Sequence, residues 1–401
     1  MRIKGFSTQL RIAEIDTNSL MAAIIVCFSF INGAIGINHI SYITISIVWL
    51  LFLYGIIKKK IHFAKWALIV PVYILAAFLL SYFAVPDTTY TISYFLYFVG
   101  FGVVSFFIGM QEFDIERTER HIELIGFFCV LVFFLRGFES YDASLRMGIS
   151  YSLLPVFLVS LIFILRRQFR LFSFINVLLS IYFYVSIAPR GLWLTIGFFA
   201  VLYAFYVLTK AKGQGANRIK QFLVLLLIFG ALIYVFNYLS QILTWVNTLC
   251  YTITGSRVYA IDKFSYLMSQ GNLSNGREEL RNYALEIIRN YPITGRGIGF
   301  FETKQDGLYV HNVVLQALCE GGLFFFIPLV IMIIRTIVTL LNNKRMQNGI
   351  EYTFFLVTTV NGLIILFYSS VYWQLLLFWF LLGYLIKGNH GRGAVDATCI
   401  I

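Results

Sequence analysis

Charged residues are scarce in this chain of 401 residues. Only 12% of its residues are Asp, Glu, Lys or Arg, whereas 59% are hydrophobic. A soluble globular domain carries about 25% charged residues, so the composition excludes that class. Apolar stretches recur with the length of about 20 residues that a helix needs to cross a bilayer, and lack the alternation over about ten residues that marks a membrane β-barrel. The sequence therefore predicts an all-α, polytopic membrane protein.

Groupings of metal-ligating and redox-active residues are also lacking. The five cysteines show no C-x-x-C spacing, and the five histidines are far apart, with no H-E-x-x-H pair. Those patterns are the usual sequence signs of redox and zinc sites, so we expect no metal and no cofactor. Charged residues are rare at the centre of the apolar stretches, which argues against an ion-coupled carrier, because such carriers keep charged relays at mid-depth.

Twelve apolar stretches are predicted to be membrane spans within a single membrane domain of residues 1–401. The first is too long for the hydrophobic region of a signal peptide, so we expect it to be the first span. The predicted spans cover residues 19–37, 40–57, 64–84, 91–110, 122–135, 148–165, 171–188, 191–209, 221–240, 312–334, 351–369 and 371–386.

Most of the 31 lysines and arginines lie in alternate connections between these spans. Because basic residues in short loops stay in the cytoplasm, we expect both termini to be cytoplasmic. The long connection of residues 240–311 is then expected on the opposite, extracytoplasmic face. The same bias explains the net charge of +12, so the charge indicates contact with the lipid bilayer and no nucleic-acid partner.

Residues 276–291 of the long loop are predicted to form an amphipathic helix. Asn275 can cap this helix, Glu278 can complete a capping box, and Pro292 ends it. Apolar residues recur at helical spacing, at Leu280, Tyr283, Ala284, Ile287, Ile288 and Tyr291. Such a helix should lie on the membrane surface or cover the helical bundle.

Arginines lie at both ends of this helix. Arg277 is at the edge of the apolar stripe and could point under the helix, whose N-terminus favours anions. Alternatively, Arg277 and Arg281 contact lipid headgroups or Glu278. Arg296 lies in the glycine run Gly295–Gly299. This run predicts a tight turn, which either holds an oxyanion on its backbone N–H groups or is a plain connector.

His311 and Asn312 end the loop and open the tenth predicted span. A lone histidine in a membrane protein is usually structural, but its imidazole is neutral near pH 7 and can act as a general base. Glu320 follows about two and a half turns further along the same helix. Its carboxyl either contacts substrate or has a structural role.

Two further arginines are candidates on the same face. Arg190 lies in the short connection between the seventh and eighth spans, and its planar guanidinium suits phosphate oxygens. Arg136 and Arg146 flank a smaller loop that holds Glu139 and Asp142. Structural ion pairs are the simpler interpretation there, with substrate binding by Arg146 as the alternative.

These residues together resemble the O-antigen polymerase and O-antigen ligase superfamily. The resemblance rests on an R-G pair at Arg190, on Arg277 in an amphipathic helix, on P-x-x-G-x-G-x-G-F from Pro292 and on H-N-x-x-L-x-x-L-x-E-x-G from His311. It covers about residues 186–323, and the twelve spans with one long loop extend it to the whole chain.

The resemblance implies a GT-C-like, metal-independent glycosyltransferase of the bacterial inner membrane, with the long loop in the periplasm. Its donor would be an undecaprenyl-diphosphate-linked glycan, and a chain-length regulator is a possible protein partner. Arg190 and Arg277 would bind the donor diphosphate, and His311 would activate the acceptor hydroxyl. The other residues expected to contact substrate are Arg281, Arg296, Asn312, Glu320 and Arg146.

The acceptor would separate the two activities of this superfamily. A polymerase extends another lipid-linked glycan, whereas a ligase transfers the glycan to a lipid A core. The moderate length of the loop and the wording of the two motifs are closer to polymerases, so polysaccharide polymerisation is the favoured interpretation. A ligase is the first alternative, and a flippase or permease for lipid-linked oligosaccharides is an alternative from another class.

Overall fold

The structure is a computed structural model. It describes residues 2–35, 40–57, 61, 65–137, 141, 143–166, 170–187, 190–210, 277–341 and 349–387, with a few positions between 244 and 262. Within these ranges the backbone forms helices and turns, so the predicted all-α fold class is confirmed.

The main helices are numbered here in chain order. They are α1 (Arg2–Ile35), α2 (Ile40–Ile57), α3 (Ile69–Ala84), α4 (Thr89–Tyr97), α5 (Val103–Gly109), α6 (Ile115–Leu135), α7 (Ala143–Leu165), α8 (Leu171–Ile187), α9 (Arg190–Lys210), α10 (Arg277–Asn290), α11 (Phe300–Lys304), α12 (Val313–Leu341), α13 (Gly349–Gly362) and α14 (Leu376–Lys387). A π-helical turn, Phe98–Gly102, joins α4 to α5.

Among the described residues, six helices are long and apolar enough to cross a membrane, by length and composition. They are Thr17–Ala34, Trp66–Ala84, Thr89–Gly109, Leu145–Leu165, Val313–Leu341 and Gly349–Phe367, and shorter apolar helices accompany them. A polytopic membrane protein is thereby confirmed. The ninth predicted span, 221–240, and the predicted cap Asn275 lie outside the described residues, so the count of twelve stays a prediction.

Between the predicted spans 351–369 and 371–386 the structure has a longer non-helical connection than the sequence predicted. Helix α13 ends at Gly362, a 3-10 turn follows at Ile364–Phe367, and α14 begins only at Leu376. The connection is held by side chains from elsewhere, because Tyr372 and Trp373 both donate hydrogen bonds to a carboxylate on α12. These tertiary contacts override the apolar run that predicted two nearly continuous helices.

The chain divides into two compact units, Met1–Cys129 with Arg277–Ile401, and Val130–Gly276. In the first unit α5 packs along α14, and the rings of Trp373 and Trp379 stack with centroids 5.7 Å apart. In the second unit α7 packs against α8, where Asn176 Nδ2 donates to Ser160 Oγ at 3.2 Å. The single membrane domain of residues 1–401 stays a prediction.

Candidate active site

Helix α10 lies close to the predicted residues 276–291 and buries one apolar face. Leu280, Ala284 and Ile287 are buried, and they form a hydrophobic cluster with Phe301 and Cys319. Cys319 belongs to α12, so the cluster fastens the loop helix to the first turns of a predicted span. Apolar burial of this kind, at about 25 cal/mol per Å², holds the polar end of the loop in a defined position.

The glycine turn after α10 is joined to α12 through the backbone. The N–H groups of Arg296 and Gly297 donate to the carbonyls of Cys319 (2.7 Å) and Glu320 (2.9 Å), and the N–H of Ile298 donates to Ser81 Oγ at 2.9 Å. These N–H groups are already occupied by protein acceptors. The structure therefore favours the plain connector over the oxyanion turn.

This backbone pairing meets a break in α12 at Gly322, whose φ of 56° and ψ of −138° are not helical. The freed N–H of Leu323 donates to the carbonyls of Pro292 and Ile293, each at 3.1 Å. A Cβ on Gly322 would lie 2.4 Å from the carbonyl carbon of Ile293. Irregular backbone at membrane depth requires such substitute partners, and here the loop supplies them.

The guanidinium of Arg296 lies between two aromatic rings. It is 4.6 Å from the ring centroid of Tyr291 and 4.9 Å from that of Phe300. Cation–π contacts of this geometry contribute about 0.5–1 kcal/mol each at exposed sites. The sequence prediction that Arg296 binds substrate stays a prediction, and its contacts here are with the protein itself.

Glu320 is buried below the turn and accepts three hydrogen bonds. Gln316 Nε2 donates to Oε1 and Trp373 Nε1 donates to Oε2, at 2.9 Å each, and the Tyr372 hydroxyl also donates to Oε2. These contacts tie α12 to the segment before α14. A structural role accounts for them, while substrate contact by Glu320 stays a prediction.

His311 lies on the other side of the loop, directly before α12. Its backbone has a φ of 56°, in the left-handed region that residues other than glycine rarely adopt. The side chain is half-buried, its ring lies 3.9 Å from that of Tyr309, and Nδ1 has no hydrogen-bond partner among the described residues. Burial first, and the charge of Arg277 second, lower the pKa of His311 to about 4.

Arg277 and Asn312 extend from two helix starts towards one short segment. Arg277 Nη1 donates to the carbonyl of Tyr368 at 3.3 Å, and Asn312 Nδ2 donates to the carbonyl of Phe367 at 3.4 Å. Asn312 Oδ1 also accepts from the N–H groups at the start of α12, which caps that helix. Arg277 and His311 are therefore close enough for the charge of one to act on the other.

Glu302 was missed by sequence reasoning because it stands in the polar run E-T-K-Q-D. Its carboxyl is buried, Oε1 accepts from the Tyr94 hydroxyl at 3.1 Å, and Oε2 has no hydrogen-bond partner among the described residues. Burial raises the pKa of Glu302 to about 7. The signal in the sequence is Phe300-Phe301 directly before it, which predicts an inward-facing turn.

The remaining candidates are placed as follows. Arg281 is exposed on α10. Arg190 begins α9 and Arg146 is half-buried in α7, both in the second unit. Their approach to His311 and Arg277 stays a prediction. Glu139 and Asp142, the predicted ion-pair partners, lie outside the described residues.

An apolar cavity of about 550 Å³ lies within the first unit. It is lined by α3, by α12 from Val313 to Arg335, and by residues from Tyr372 to Ile386. Its first lining residue on α12, Val313, follows His311 by two positions. The polar site and the apolar cavity therefore share one end of α12.

The fold and this arrangement define a class of protein: a polytopic helical membrane protein with a polar site where a loop helix meets a broken span. A family model described as O-antigen ligase matches residues 174–330, a stretch that includes Arg190, Arg277 and His311. Over these residues the match confirms the resemblance to the superfamily of O-antigen polymerases and ligases that the motifs predicted. No curated protein and no solved structure matches the chain.

Proposed function

We propose that this protein is a metal-independent glycosyltransferase that polymerises undecaprenyl-diphosphate-linked oligosaccharide repeat units. The observation that carries the proposal is the pairing of a cation, Arg277, with a neutral imidazole, His311, whose Nδ1 is left without a partner among the described residues. The family match supports activity on lipid-linked glycans at this level of description.

The chemistry needs a base and a cation at one place. The acceptor hydroxyl oxygen attacks the anomeric carbon of the donor sugar, and the bond from that carbon to the diphosphate breaks. The diphosphate leaves with the bonding electrons, and the hydroxyl proton passes to the imidazole of His311. Arg277 offsets the charge that develops on the diphosphate, and electrostatic stabilisation of this kind often contributes more to catalysis than any other effect.

The low pKa of His311 fits a site that is completed by its donor. Without substrate, the charge of Arg277 helps to lower the pKa of the imidazole to about 4, where it is a weak base. A diphosphate bound to Arg277 would replace that positive field with a negative one. An anion beside a histidine raises its pKa, so donor binding would make His311 a stronger base. Arg190, from the second unit, is proposed as a second diphosphate ligand.

The apolar cavity along α12 is proposed to hold part of the polyprenyl tail. It begins at Val313, beside the site, and its lining is almost wholly apolar down to Arg335. A lipid whose diphosphate lies at Arg277 would find apolar surface directly below it. With the long loop in the periplasm, the donor would be bound from the outer leaflet of the inner membrane.

A ligase is the second candidate, because the matching family model is described by that name. Both activities use the same donor, and the acceptor distinguishes them. In this interpretation the same residues would direct the glycan to a lipid A core, and a chain-length regulator would act with a different protein.

Deleting the gene separates the two. Loss of a polymerase leaves single repeat units on the lipid carrier or core, whereas loss of a ligase leaves long polymer on the carrier. Complementation with His311→Ala should give the same glycan pattern as the deletion. Arg289→Ala, an exposed substitution at the other end of α10, is the matched control and should restore long chains. Normal long chains from a stably expressed His311→Ala protein would contradict the proposal.

A further inference from the structure

The residues 367–370, called here the 367–370 segment, contact the candidate site from outside the matched family region. Helix α13 ends at Gly362 and a 3-10 turn follows at Ile364–Phe367. Two backbone carbonyls of the segment accept hydrogen bonds from side chains at the starts of two other helices. The carbonyl of Tyr368 receives Arg277, and that of Phe367 receives Asn312. The two side chains come from helices that start 36 residues apart in the chain, α10 at Arg277 and α12 at Val313. One short backbone stretch therefore accepts hydrogen bonds from both side chains.

The same segment also anchors the neighbour of His311. The N–H of Ser370 donates to the hydroxyl of Tyr309 at 3.1 Å, and Ser370 itself has a φ of 67°. The ring of Tyr309 in turn lies 3.9 Å from the imidazole of His311, at an angle of 44°. A chain of contacts thus runs from the backbone of Ser370, through a phenol, to the imidazole.

Two neighbouring residues with left-handed backbone need such support. His311 and Ser370 both have positive φ, which costs about 1–3 kcal/mol at a residue other than glycine and persists only where the surroundings impose it. Because the Tyr309 contacts join these two positions directly, they can hold both in place. The hydrogen bond from the Ser370 N–H to the Tyr309 hydroxyl indicates that Tyr309 does more than fill space.

We propose that Tyr309 is the positioning residue for His311, and that the 367–370 segment is the template on which Tyr309, Arg277 and Asn312 are aligned. The role of Tyr309 is to fix the ring plane of the imidazole and to exclude water from one of its faces. The catalytic consequence rests on the proposed function, whereas the alignment itself can be measured without it.

The electrostatic surroundings of His311 make the alignment measurable. The charge that acts on it is Arg277 from α10, and Tyr309 is the titratable group in ring contact with it. The 367–370 segment adds Tyr368, whose carbonyl holds Arg277. Removing the ring of Tyr309 would admit water to the imidazole while leaving Arg277 in place. The pKa of His311 would then move up from about 4 towards its ordinary value near 6.5.

The test is the reaction of His311 with diethyl pyrocarbonate between pH 5 and pH 8, followed by peptide mass spectrometry on the full-length protein in detergent. This reagent modifies the neutral imidazole. In the parent protein we expect a slow reaction with little dependence on pH, because the imidazole is neutral throughout this range. In Tyr309→Leu we expect a faster reaction that falls from pH 8 to pH 5, by at most roughly thirtyfold, the limit that a midpoint of 6.5 would set.

Two further variants refine the measurement. Tyr309→Phe keeps the ring and loses the acceptor for Ser370, so we expect a flat pH profile with a rate at least threefold faster than that of the parent. Its kcat for glycan extension should fall about tenfold with little change in KM, since the base is displaced and the donor is still bound. Tyr82→Leu, an exposed tyrosine on α3, is the matched control and should change neither quantity.

The outcomes separate this inference from the proposed function. An unchanged rate and pH profile of His311 labelling in Tyr309→Leu would overturn the positioning role, whatever the activity. Full activity in His311→Ala would overturn the proposed function and leave the labelling result as a statement about alignment alone. A labelling change in Tyr309→Leu that Tyr82→Leu reproduces would also overturn the inference, because it would reflect general loosening.

Discussion

Two arginines lie at opposite ends of helix α10 and differ in what their guanidinium groups contact. Arg277, at the start, reaches a backbone carbonyl and lies close enough to lower the pKa of His311. Arg296, in the turn after the helix, lies between the rings of Tyr291 and Phe300. The same residue type therefore belongs to a polar site in one place and to a packed corner in the other.

The two regions also differ in their unused hydrogen-bonding groups. At the glycine turn, backbone N–H groups are taken up by α12 and by Ser81. Just before α12, the Nδ1 atom of His311 has no partner within the described part of the chain. A buried polar atom without a partner is costly, so each such atom requires an explanation. The glycine turn is thus a scaffold, whereas the arginine–histidine end keeps an imidazole nitrogen unpaired among the described residues, and substrate binding there is the proposal.

The largest expected effect comes from breaking the scaffold at Gly322. Gly322→Ala places a Cβ 2.4 Å from the carbonyl carbon of Ile293, at a φ and ψ that alanine does not adopt. We expect it to lower the free energy of unfolding by more than about 3 kcal/mol, measured by denaturation in detergent micelles. Gly197→Ala is the control, because a Cβ there meets nothing within 4 Å. Equal stability of the two variants would contradict a tightly joined turn.

A second prediction concerns the carboxyl group of Glu302, which is buried beside Tyr94. Its pKa in the folded protein, about 7, is above the value of 4.5 expected when unfolded, so folding binds a proton between these values. The contribution of the protonated Glu302 carboxyl to the free energy of unfolding is complete below pH 4.5 and is lost as the pH rises through 7. Above pH 8 the ionised carboxylate lowers the free energy of unfolding by about 3 kcal/mol relative to its value below pH 4.5. Glu302→Gln should remove this loss and so flatten the fall in melting temperature from pH 5 to pH 9.

The comparison variant is Glu286→Gln, on the exposed side of α10. It should leave the pH dependence of the melting temperature as it is in the parent protein. If Glu302→Gln shifts the melting temperature by the same amount at pH 5 and pH 9, then the carboxyl does not titrate across this range. The assignment of Glu302 to a buried environment would then be wrong.

The sequence predicted the helices of this scaffold better than its breaks. Long apolar runs place α3 and α12 because run length is itself the physical requirement for a span. The periodicity from Leu280 to Ile288 likewise predicts α10, since an apolar stripe depends only on residues of the helix itself. The break at Gly322 and the late start of α14 depend instead on partners far along the chain. Nothing near Trp373 in the sequence shows that it donates to Glu320, 53 residues earlier.

The site was predicted in the same uneven way. Arg277 and His311 were predicted from residue type and position; in the structure the charge of Arg277 acts on His311, and their roles stay predictions. The 367–370 segment was not found, because it lies across the boundary between two predicted spans, and the contact of Tyr309 with His311 was not predicted. A glycine-rich run with one arginine suggested an anion site, although its N–H groups are used within the fold. Only the contacts distinguish these two uses of similar residues.

The third prediction tests the proposed role of Arg277 in binding the donor diphosphate. Arg277→Ala should lower the rate of glycan extension on a lipid-linked donor about a hundredfold, the usual cost of removing one preorganised charge-stabilising group. It also removes the positive field that helps to lower the pKa of His311, so that the pKa rises and the acid limb of the rate profile moves to higher pH. Arg277→Lys keeps the charge without the planar fork and should be intermediate.

Arg289→Ala, in the last turn of the same helix, is the control for a general effect of losing a cation from α10. It should keep the rate within about twofold of the parent, because surface charges of this kind contribute little. If Arg289→Ala lowers the rate as far as Arg277→Ala, then the helix acts through its overall charge on the membrane, and the specific contact between Arg277 and the donor is wrong.

The smallest expected effect concerns Arg296, in the turn after α10. Arg296→Leu removes the cation between Tyr291 and Phe300 but keeps apolar bulk, so it should lower the free energy of unfolding by about 1 kcal/mol and leave the rate within about twofold. Arg296→Lys should recover part of that stability. Rate and unfolding are measured on the same detergent-purified samples. A hundredfold loss of rate with unchanged stability would instead mean that Arg296 binds substrate, as the sequence predicted, and the two ends of α10 would then act together on the diphosphate.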